Sequence, residues 1–527
     1  MKLQYLKIKS NFKNLKDVEI RFSGDENRTV IIGQNGTGKS NIIEAIVQMF
    51  KYLETGNPPP FSYELKYKIG DASLETWIDI NADLSKDTVY EIKVQEHSHE
   101  VHSEWKSISI AKVRRDKDGL SRFLPRNIFA YYSGPSDRLE SLFFDSRRDF
   151  YLQVIKEGSN IRDNIRPFFY AKTFHSQFSL LSFFVARGVP HATKFLKQEL
   201  SIASFESATF YFTKPNSWGS NDAIDFWGAT GAIRDFLELV KRHSIGPIET
   251  QEQQPDLLSR RIKSKQIVSF FLPNKTKLDE LSKNMRPEDL FKILEATYLS
   301  GILDRVEIQV KQTKSNQNVV FNELSEGEQQ LLTIFGLLQF TEKRDALFLL
   351  DEPDTHLNPY WTAKYHRFLE LFVPEGFGSH IIMTTHHPLS ISELNREQIQ
   401  VVSRNDASQK ISVDTPKKSP KGMSVNGILT SDMFGLLTTL DNGTQDLIRE
   451  RRNLVAEDSN PERLEELNTQ LEQLGYGYIH PDEDYRQFLI ARSKYLEYGK
   501  EVASVEARKQ MIKNILKDMR ISSNEVH

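Results

Sequence analysis

The chain has 527 residues, of which 39% are hydrophobic and 27% are charged, and its net charge of −3 gives no overall basic field that would attract nucleic acid. It contains no cysteine, which excludes disulfides, zinc–thiolate sites and thiol catalysis. No apolar run approaches the roughly 18 residues that span a membrane, and the first residues lack the apolar core of a signal peptide. We therefore expect a cytoplasmic globular protein without membrane contact, long enough for about two to four domains.

The first segment, residues 1–139, is predicted to form strands around one helix. Apolar or alternating runs predict strands at Leu3–Ile8, Val18–Phe22, Thr29–Ile32 and Asn127–Tyr132. Apolar residues at helical spacing predict a helix from Lys39 to Lys51. A strand that runs directly into a glycine-rich loop and then a helix is the setting of a phosphate-binding loop.

The loop fits the pattern G-x-x-x-x-G-K-[ST] in full. Its residues are Gly33, Gln34, Asn35, Gly36, Thr37, Gly38, Lys39 and Ser40, and Asn41 follows. The glycines let consecutive backbone N–H groups turn toward phosphate oxygens, and the N-terminus of the next helix adds a positive partial charge. Lys39 is expected to contact the β- and γ-phosphates of ATP, and the Ser40 hydroxyl to bind Mg²⁺. The alternative is a glycine turn with an incidental lysine, which a complete octet after an apolar strand disfavours.

Residues 140–303 are predicted to be a mainly helical insertion rich in phenylalanine. Two short pieces are predicted to be extended, Ala208–Thr213 and Ile267–Leu272, and the polar, Gln-rich run Gly246–Asp256 is predicted to be a surface loop. Because the segment has no sustained heptads, we do not expect a long coiled-coil arm.

The segment 304–414 returns to an α/β pattern, and its first candidate site lies at the start of a predicted helix. Ser325, Gly327 and Glu328 belong to the run Leu-Ser-Glu-Gly-Glu-Gln, which precedes the apolar stretch Leu331–Leu338. Ser325 with Glu328 three residues later fits an N-capping box. A serine and a glycine at a helix start would also suit the γ-phosphate of a nucleotide bound to an opposing copy. Both interpretations can hold together.

Two further candidate sites follow short apolar runs that are typical of buried parallel strands, Ala346–Leu350 and His380–Thr384. Asp351 ends the first run, where a carboxylate lies at the ligand edge of a sheet, and is expected to hold Mg²⁺ through a water. Glu352 is expected to act as general base toward the attacking water. His386 follows the second run and is expected to contact the γ-phosphate or that water.

The last segment, residues 415–527, is predicted to be helical and to dock a partner or another subunit. Thr415–Gly422 has the composition of a linker, and Asn460-Pro461 begins an amphipathic helix with leucines at 464, 467, 471 and 474. Another helix is predicted at 484–518.

Taken together, these motifs resemble those of the SMC-like branch of ABC ATPases, which includes the AAA_21 and OLD-like proteins. The resemblance rests on residues 33–41, on Asp-Glu-Pro-Asp-Thr-His-Leu-Asn-Pro at 351–359 and on Thr-His-His-Pro at 385–388. Two shorter motifs, at 129–139 and 422–429, are similar to the PtuA-type ATPases of Septu and retron-associated anti-phage systems. One departure is that no Q-loop glutamine follows Tyr131-Tyr132, where Ser133 and Gly134 stand instead.

The resemblance implies an α/β P-loop ATPase head, split by the insertion, that works as a head-to-tail dimer or higher even oligomer with ATP and Mg²⁺. It places Asp354 in the D-loop, with a role in nucleotide binding. It also implies control of a separate PtuB-like HNH nuclease in anti-phage defence, with a retron reverse transcriptase and its msDNA as possible partners and no nuclease activity in this chain.

Three rival functions are weaker. A transporter subunit would place its signature segment much nearer the phosphate loop, and an OLD-type nuclease would need more than the acidic run Asp482-Glu483-Asp484. A DNA-repair or chromosome ATPase is the runner-up, although heptads are missing. Nucleic-acid contact is possible at two short basic runs, 112–117 and 260–265, but such runs are more often solvated faces.

Overall fold

A computed structural model gives the fold, and it describes residues 1–474 apart from short gaps at 25, 72, 99–102, 117–118, 157–165, 187–188, 216–221, 224, 256–261, 314–316, 341–343, 375–377, 406–407, 437 and 458–459. The chain divides into two compact units, Met1–Gly435 and Leu436–His527. The predicted α/β class is confirmed, because parallel and antiparallel sheets alternate with helices throughout the first unit.

The strands, in chain order, are β1 Lys2–Ile8, β2 Val18–Arg21, β3 Arg28–Gly33, β4 Tyr63–Asp71, β5 Leu74–Ala82, β6 Tyr90–Ser98, β7 Lys106–Ile108, β8 Ile128–Tyr132, β9 Phe168–Ala171, β10 Ile202–Thr213, β11 Ile245–Pro255, β12 Ile262–Leu272, β13 Leu303–Gln312, β14 Asn318–Val320, β15 Leu347–Asp351, β16 His380–Thr384, β17 Ile399–Arg404 and β18 Ile411–Asp414.

The α-helices are α1 Lys39–Thr55, α2 Ile110–Val113, α3 Phe144–Val154, α4 His175–Val185, α5 Pro190–Gln198, α6 Gly231–His243, α7 Lys275–Leu281, α8 Pro287–Leu299, α9 Glu326–Phe340, α10 Pro359–Phe372, α11 Val425–Leu429, α12 Asn442–Glu457 and α13 Pro461–Gln473. Short 3-10 turns include Glu140–Phe143, just before α3, and Pro388–Ile391, after β16.

The central layer is a seven-stranded sheet in the order β18-β17-β3-β16-β15-β8-β9, parallel except for β18. Successive side chains along its inner strands point to opposite faces of the sheet, so they pack alternately into the two hydrophobic cores on either side. Leu347 and Leu349 pack with α1 on one face, whereas Phe348 and Leu350 pack with the insertion on the other. Both faces are therefore buried, which explains the continuous apolar runs in the sequence.

The register of this sheet aligns the carboxyl ends of its strands. Asp351 lies opposite Thr384 on one side and Tyr132 on the other, and Thr384 lies opposite Ile31. The segments that follow β3, β8, β15 and β16 therefore meet at one edge, which is where open α/β sheets bind their ligands.

A six-stranded antiparallel sheet, β2-β1-β4-β5-β6-β7, covers the outer side of α1. Alternate residues of β5 are buried, so one face of this sheet packs on the core while the other is more accessible to water. The predicted strands and the helix of residues 1–139 are all present, and α1 continues four residues beyond its predicted end at Lys51.

The insertion differs from the expectation of a mainly helical segment. Helices α3 to α8 are present, but they pack with a five-stranded antiparallel sheet, β11-β12-β10-β13-β14. The prediction of a surface loop at Gly246–Asp256 was wrong for its described part, because residues 246–255 lie in edge strand β11. Pairing with β12 from Ile245 to Pro255 holds the strand in place, and the exposure of its edge accounts for its polar composition.

The C-terminal region begins later than its composition suggests. The predicted linker Thr415–Gly422 belongs to the first unit. There Lys421 N donates to Leu394 O at 3.2 Å, and Arg396 N donates to Ser419 Oγ at 3.0 Å.

In the second unit, α13 begins at Pro461 as predicted and buries Leu467 and Leu471. The side chain of Arg463 pairs with Glu450 of α12 at 2.8 Å. The predicted helix at 484–518 and the acidic run at 482–484 lie outside the described residues. Within the part of the chain that is described, no helix has the length and apolar character needed to cross a bilayer.

Candidate nucleotide-binding site

The phosphate loop joins β3 to α1, and its backbone requires glycine. Gly33 has φ +151° and Gly38 has φ +103°, both in the left-handed region. A Cβ at Gly33 would stand 2.2 Å from the carbonyl oxygen of Val402, and one at Gly38 would stand 2.8 Å from a methyl group of Leu15. A side chain at either position would therefore displace the loop from the neighbouring strand or segment, and with it the amides at the start of α1 that can receive an anion.

Lys39, at the start of α1, is held by two carbonyl oxygens of the phosphate loop, and a bound nucleotide would compete with them for its ammonium group. Lys39 Nζ donates to Gly33 O at 2.8 Å and to Gln34 O at 3.2 Å. Burial lowers the pKa of Lys39, and the nearby carboxylates of Asp351 and Glu352 partly oppose that shift. The Thr37 hydroxyl closes the loop by donating to Gln34 O at 2.8 Å.

Ser40 and Asp351 form a pair of oxygen ligands suited to a hard cation. Ser40 Oγ donates to Asp351 Oδ1 at 3.0 Å, and Thr384 Oγ1 donates to the same oxygen at 2.5 Å. Burial raises the pKa of Asp351, while these two donors lower it. A hydroxyl and a carboxylate side by side, next to a phosphate loop, fit the oxygen chemistry that Mg²⁺ requires.

Glu352 adopts a backbone conformation that is unfavourable for a residue with a side chain. Its φ is +51°, and its N–H donates to Thr384 O at 3.1 Å. Such a conformation costs on the order of 1–3 kcal/mol and is typical of functional positions. The carboxylate is 3.4 Å from His386 Nδ1, with the Glu352 side chain 27% exposed and the His386 side chain 49% exposed. The two groups that the sequence predicts to handle the attacking water are thus in contact.

These groups line one cavity of about 390 Å³, formed by Asn14, Asn35, Gly36, Gly38, Lys39, Ser40, Asn41, Arg138, Glu352 and His386. Eight of these ten residues are among the sequence-predicted site residues. Gly33, Gln34, Thr37 and Asp351 support the lining groups through the contacts above.

Sequence reasoning missed two lining residues. Asn14 Nδ2 donates to Gly36 O at 3.1 Å, and Asn41 Nδ2 donates to Asn14 Oδ1 at 2.7 Å. Arg138 donates to Asn41 Oδ1 at 3.3 Å and brings a second cation to the cavity. Arg138 lies six residues after the buried strand β8, and its position beyond the carboxyl end of a parallel strand could have identified it from the sequence. Asn14 lies in the connection between β1 and β2, and nothing in the local sequence marks it as a cavity residue.

Three predicted site residues at the start of α9, namely Ser325, Gly327 and Glu328, do not line this cavity. Ser325 is exposed at the start of α9, where its N–H and Oγ donate to Glu328 Oε2 at 2.8 and 2.7 Å. The structure therefore contains the predicted capping box. A Cβ at Gly327 would stand 2.7 Å from His356 O, so glycine allows the helix start to contact the segment after β15.

Asp354 also lies away from the cavity lining. It is 2% exposed, and its Oδ2 accepts hydrogen bonds from Thr385 Oγ1 at 2.6 Å and from Ser390 Oγ. In this chain Asp354 fastens the segment after β15 to the segment after β16, which carries His386. Ser133, directly after β8, contacts the same region, because its N–H donates to Asp351 O at 3.3 Å.

A protein-family model described as "AAA domain, putative AbiEii toxin, Type IV TA system" matches residues 28–392. The chain is 22% identical over 438 residues to "Retron Vc95 probable ATPase" of Vibrio cholerae serotype O1 biovar El Tor, covering 77% of this chain and 74% of that relative. It is 27% identical over 159 residues to "Septu protein PtuA" of Bacillus mycoides (strain KBAB4), covering 28% of this chain. The matched part spans 22% of the length of the Bacillus protein.

Two solved structures are also similar. The SMC head domain from Thermotoga maritima aligns with 79% of this chain and 99% of that chain, at 14% identity and a TM-score of 0.28. Stu0660 of Streptococcus thermophilus aligns with 79% of this chain and 77% of that chain, at 12% identity and a TM-score of 0.25.

Proposed function

The chain belongs to the AAA domain family whose model matches residues 28–392, and from that premise we propose that it binds ATP with Mg²⁺ and hydrolyses it in a site shared by two copies of the protein. The observation that carries the proposal is one cavity lined by the phosphate loop and by the Glu352–His386 pair, with Asp351 bonded to the lining residue Ser40.

Each group has a role that follows from its position. Lys39 and Arg138 neutralise phosphate charge, and the amides at the start of α1 bind phosphate oxygens. Ser40 and Asp351 would hold Mg²⁺, which when bound neutralises charge on the β- and γ-phosphates. Glu352 accepts a proton from the attacking water as its oxygen bonds to the γ-phosphorus and the bond to ADP breaks. His386 orients Glu352 and that water.

The site is proposed to be completed by a second copy. Ser325 and Gly327 lie at the start of α9, where Ser325 carries an exposed hydroxyl and the first helical amides have no partner within the helix. Neither lines the cavity of its own chain, which supports contact with the γ-phosphate of a nucleotide bound to an opposing molecule.

Nucleotide binding and hydrolysis by the purified full chain test this proposal. Lys39→Ala is expected to lose ATP binding, and Arg138→Ala to weaken it by about tenfold or more through loss of a charge-assisted contact. Arg21→Ala, on an exposed arginine of β2, is the matched control. Binding that is unchanged in both Lys39→Ala and Arg138→Ala would contradict the assignment of this cavity.

We further propose that the ATPase controls a separate HNH-type nuclease in anti-phage defence, together with a retron reverse transcriptase and its msDNA where those are present. Support comes from the Septu and retron names of the two relatives. The partner is expected to co-purify with the full chain and with Lys39→Ala, and to be lost when residues 441–527 are removed from a protein that still binds ATP.

A phage plaque assay addresses the biological role. Cells that carry the ATPase with its neighbouring gene should resist phage, and Lys39→Ala should abolish that resistance. Normal phage resistance in Lys39→Ala, or sensitivity to DNA damage as the sole phenotype of its loss, would favour a DNA-repair ATPase instead.

A further inference from the structure

A second and larger cavity, which we name the basic cleft, lies apart from the nucleotide site, between α3 and the insertion sheet. Its volume is about 1430 Å³, and it is lined by residues of α3, of the segment between β9 and α4, of the ends of β10 and α8, and of β12 and β13. Small-molecule pockets usually measure about 300–1,000 Å³. The size of the cleft therefore suits part of an extended ligand better than a small molecule.

The cleft is positively charged although the whole chain is slightly negative. Five cationic side chains line it, and they are Arg147, Arg148, Lys172, Lys214 and Lys265. Two carboxylates, Glu140 and Asp304, accompany them.

Both carboxylates are already neutralised. Glu140 lies 2.9 Å from Arg147 and 2.7 Å from Lys172, and Asp304 pairs with Lys265 and, at 2.8 Å, with Arg305. Five cationic side chains thus stand against two carboxylates in the lining, and the side chain of Arg148 is exposed to solvent. This charge balance favours an anionic ligand.

Aromatic rings lie among these cations. Phe144, in the first turn of α3, is 54% exposed, with the guanidinium of Arg147 at 5.9 Å from its ring centre. Phe174 and Tyr298 stack in the wall, with ring centroids 4.2 Å apart. Cations that follow a phosphate backbone, together with accessible rings on which bases stack, are the two features of single-strand binding surfaces. An acidic peptide would need the cations but not an exposed phenylalanine.

We propose that the basic cleft binds single-stranded nucleic acid. Arg148 and the neighbouring cations hold its phosphates, and Phe144 stacks on a base. A duplex keeps its base faces covered, so it could use the charges but not the ring. The cleft is distinct from the ATP site, and binding there requires neither nucleotide nor hydrolysis.

Fluorescence anisotropy with a labelled oligodeoxythymidylate of about 20 nucleotides, and with the matching oligouridylate, tests the proposal on the full chain without ATP. We expect binding that weakens with salt. Phe144→Ala should weaken it about fivefold or more through lost stacking. Arg148→Ala should reduce the salt slope by about 0.7 through one lost phosphate contact.

Matched controls are Trp105→Ala, an aromatic residue that is 47% exposed outside the cleft, and Arg21→Ala. Both controls should bind as the unaltered chain does. Because Phe144 and Arg148 are exposed, their variants are expected to keep the fold, and an unchanged thermal midpoint checks this. Lys39→Ala should also bind normally, so failure of the ATPase proposal and failure of this one can be distinguished.

Three results would overturn the proposal. The first is no binding of either oligonucleotide at low salt. The second is an equal loss in cleft and control variants, which would indicate diffuse attraction. The third is that polyglutamate or a DNA duplex binds as tightly as the single strand while Phe144→Ala has no effect, which would indicate a general anionic docking face.

Discussion

Glu352, the proposed general base, has a backbone conformation that is unfavourable for a residue with a side chain. Its φ of +51° places a charged residue in a conformation that glycine adopts readily, directly after the buried Asp351. The N–H contact with Thr384 and the contact between its carboxylate and His386 keep it there. The side chain is thereby directed into the nucleotide cavity rather than along the sheet.

The first prediction concerns hydrolysis. Glu352→Gln keeps the size and the backbone preference of the residue but removes the proton acceptor, so ATP turnover should fall on the order of a hundredfold. ATP binding should persist, which equilibrium binding of labelled ATP can measure beside the rate of phosphate release. Glu397→Gln, at an exposed carboxylate, is the control. If Glu352→Gln turns over ATP at the normal rate, another group is the base.

The second prediction concerns stability at the same position. Glycine avoids the clash of Cβ with the backbone in the left-handed region, so Glu352→Gly should be more stable than Glu352→Ala by about 1–2 kcal/mol. Both variants lack the carboxylate and should be inactive. Urea unfolding of the two variants measures the difference, and equal midpoints would show that the conformation carries no such cost.

At this scale the sequence predicts most of the site, because the phosphate loop, Asp351-Glu352 and His386 each follow an apolar strand in a short contiguous motif. Asn14 and Arg138 escape that reasoning. They reach the cavity through the placement of the β1–β2 connection and of the turn after β8, which depends on packing between distant segments.

At the scale of elements, a buried charged cluster joins α8, α4 and the segment before β9 within the insertion. Glu295 of α8 accepts from Arg166, which precedes β9, and lies 3.1 Å from Nε2 of His175 in α4. Arg166 also stacks over Phe169 at 4.3 Å. Burial raises the pKa of Glu295, but Arg166 and His175 outweigh it and lower the value to about 2.

The third prediction follows from that cluster. Glu295→Gln leaves the Arg166 cation buried without its carboxylate, so stability at pH 7 should fall by about 3–5 kcal/mol. Because the folded pKa of Glu295 lies below its unfolded value near 4.5, the stabilisation is complete above that value and is lost as the pH falls toward 2.

Denaturant midpoints of both proteins across the pH range test this. The difference between the unaltered chain and Glu295→Gln should stay constant from about pH 8 to pH 5 and shrink below about pH 4.5. Glu288→Gln, at a partly exposed carboxylate in the first turn of the same helix, should show little difference at any pH. A difference that is the same at every pH would mean that packing, not charge, explains the loss.

The insertion is also where element prediction is weakest. Its helices and the strand ends at Ala208–Thr213 and Ile267–Leu272 follow from apolar spacing, but β11 does not. Ile245 and Ile248 are its exposed apolar residues, and the rest of the run is largely polar. Pairing with β12 rather than burial makes β11 a strand, and a partner strand cannot be seen in the local pattern.

At the scale of the whole molecule, the separation of Ser325 from its own cavity bears on assembly. Ser325→Arg should abolish hydrolysis while each chain still binds ATP, because arginine would block the approach of the opposing site. Ser403→Arg, at another exposed serine, is the control and should remain active.

The fourth prediction uses mixed assemblies. When Lys39→Ala protein is mixed with Ser325→Arg protein, an antiparallel dimer contains one site with both changes and one site with neither. Hydrolysis should therefore recover in part, although each protein alone is inactive. If mixed dimers form, as differently tagged copies can show, and remain inactive, the sites are not shared between chains.

The sheet order has a consequence for synthesis of the chain on the ribosome. Strand β3, which carries the phosphate loop, has β16 and β17 as its hydrogen-bonded neighbours, and both come after residue 379. While the first 379 residues emerge, β3 has no partner strand, so the loop cannot yet be fixed against its sheet. A nascent chain that ends before β16 is thus expected not to bind ATP, and the onset of nucleotide binding would mark the point at which translation has passed that strand.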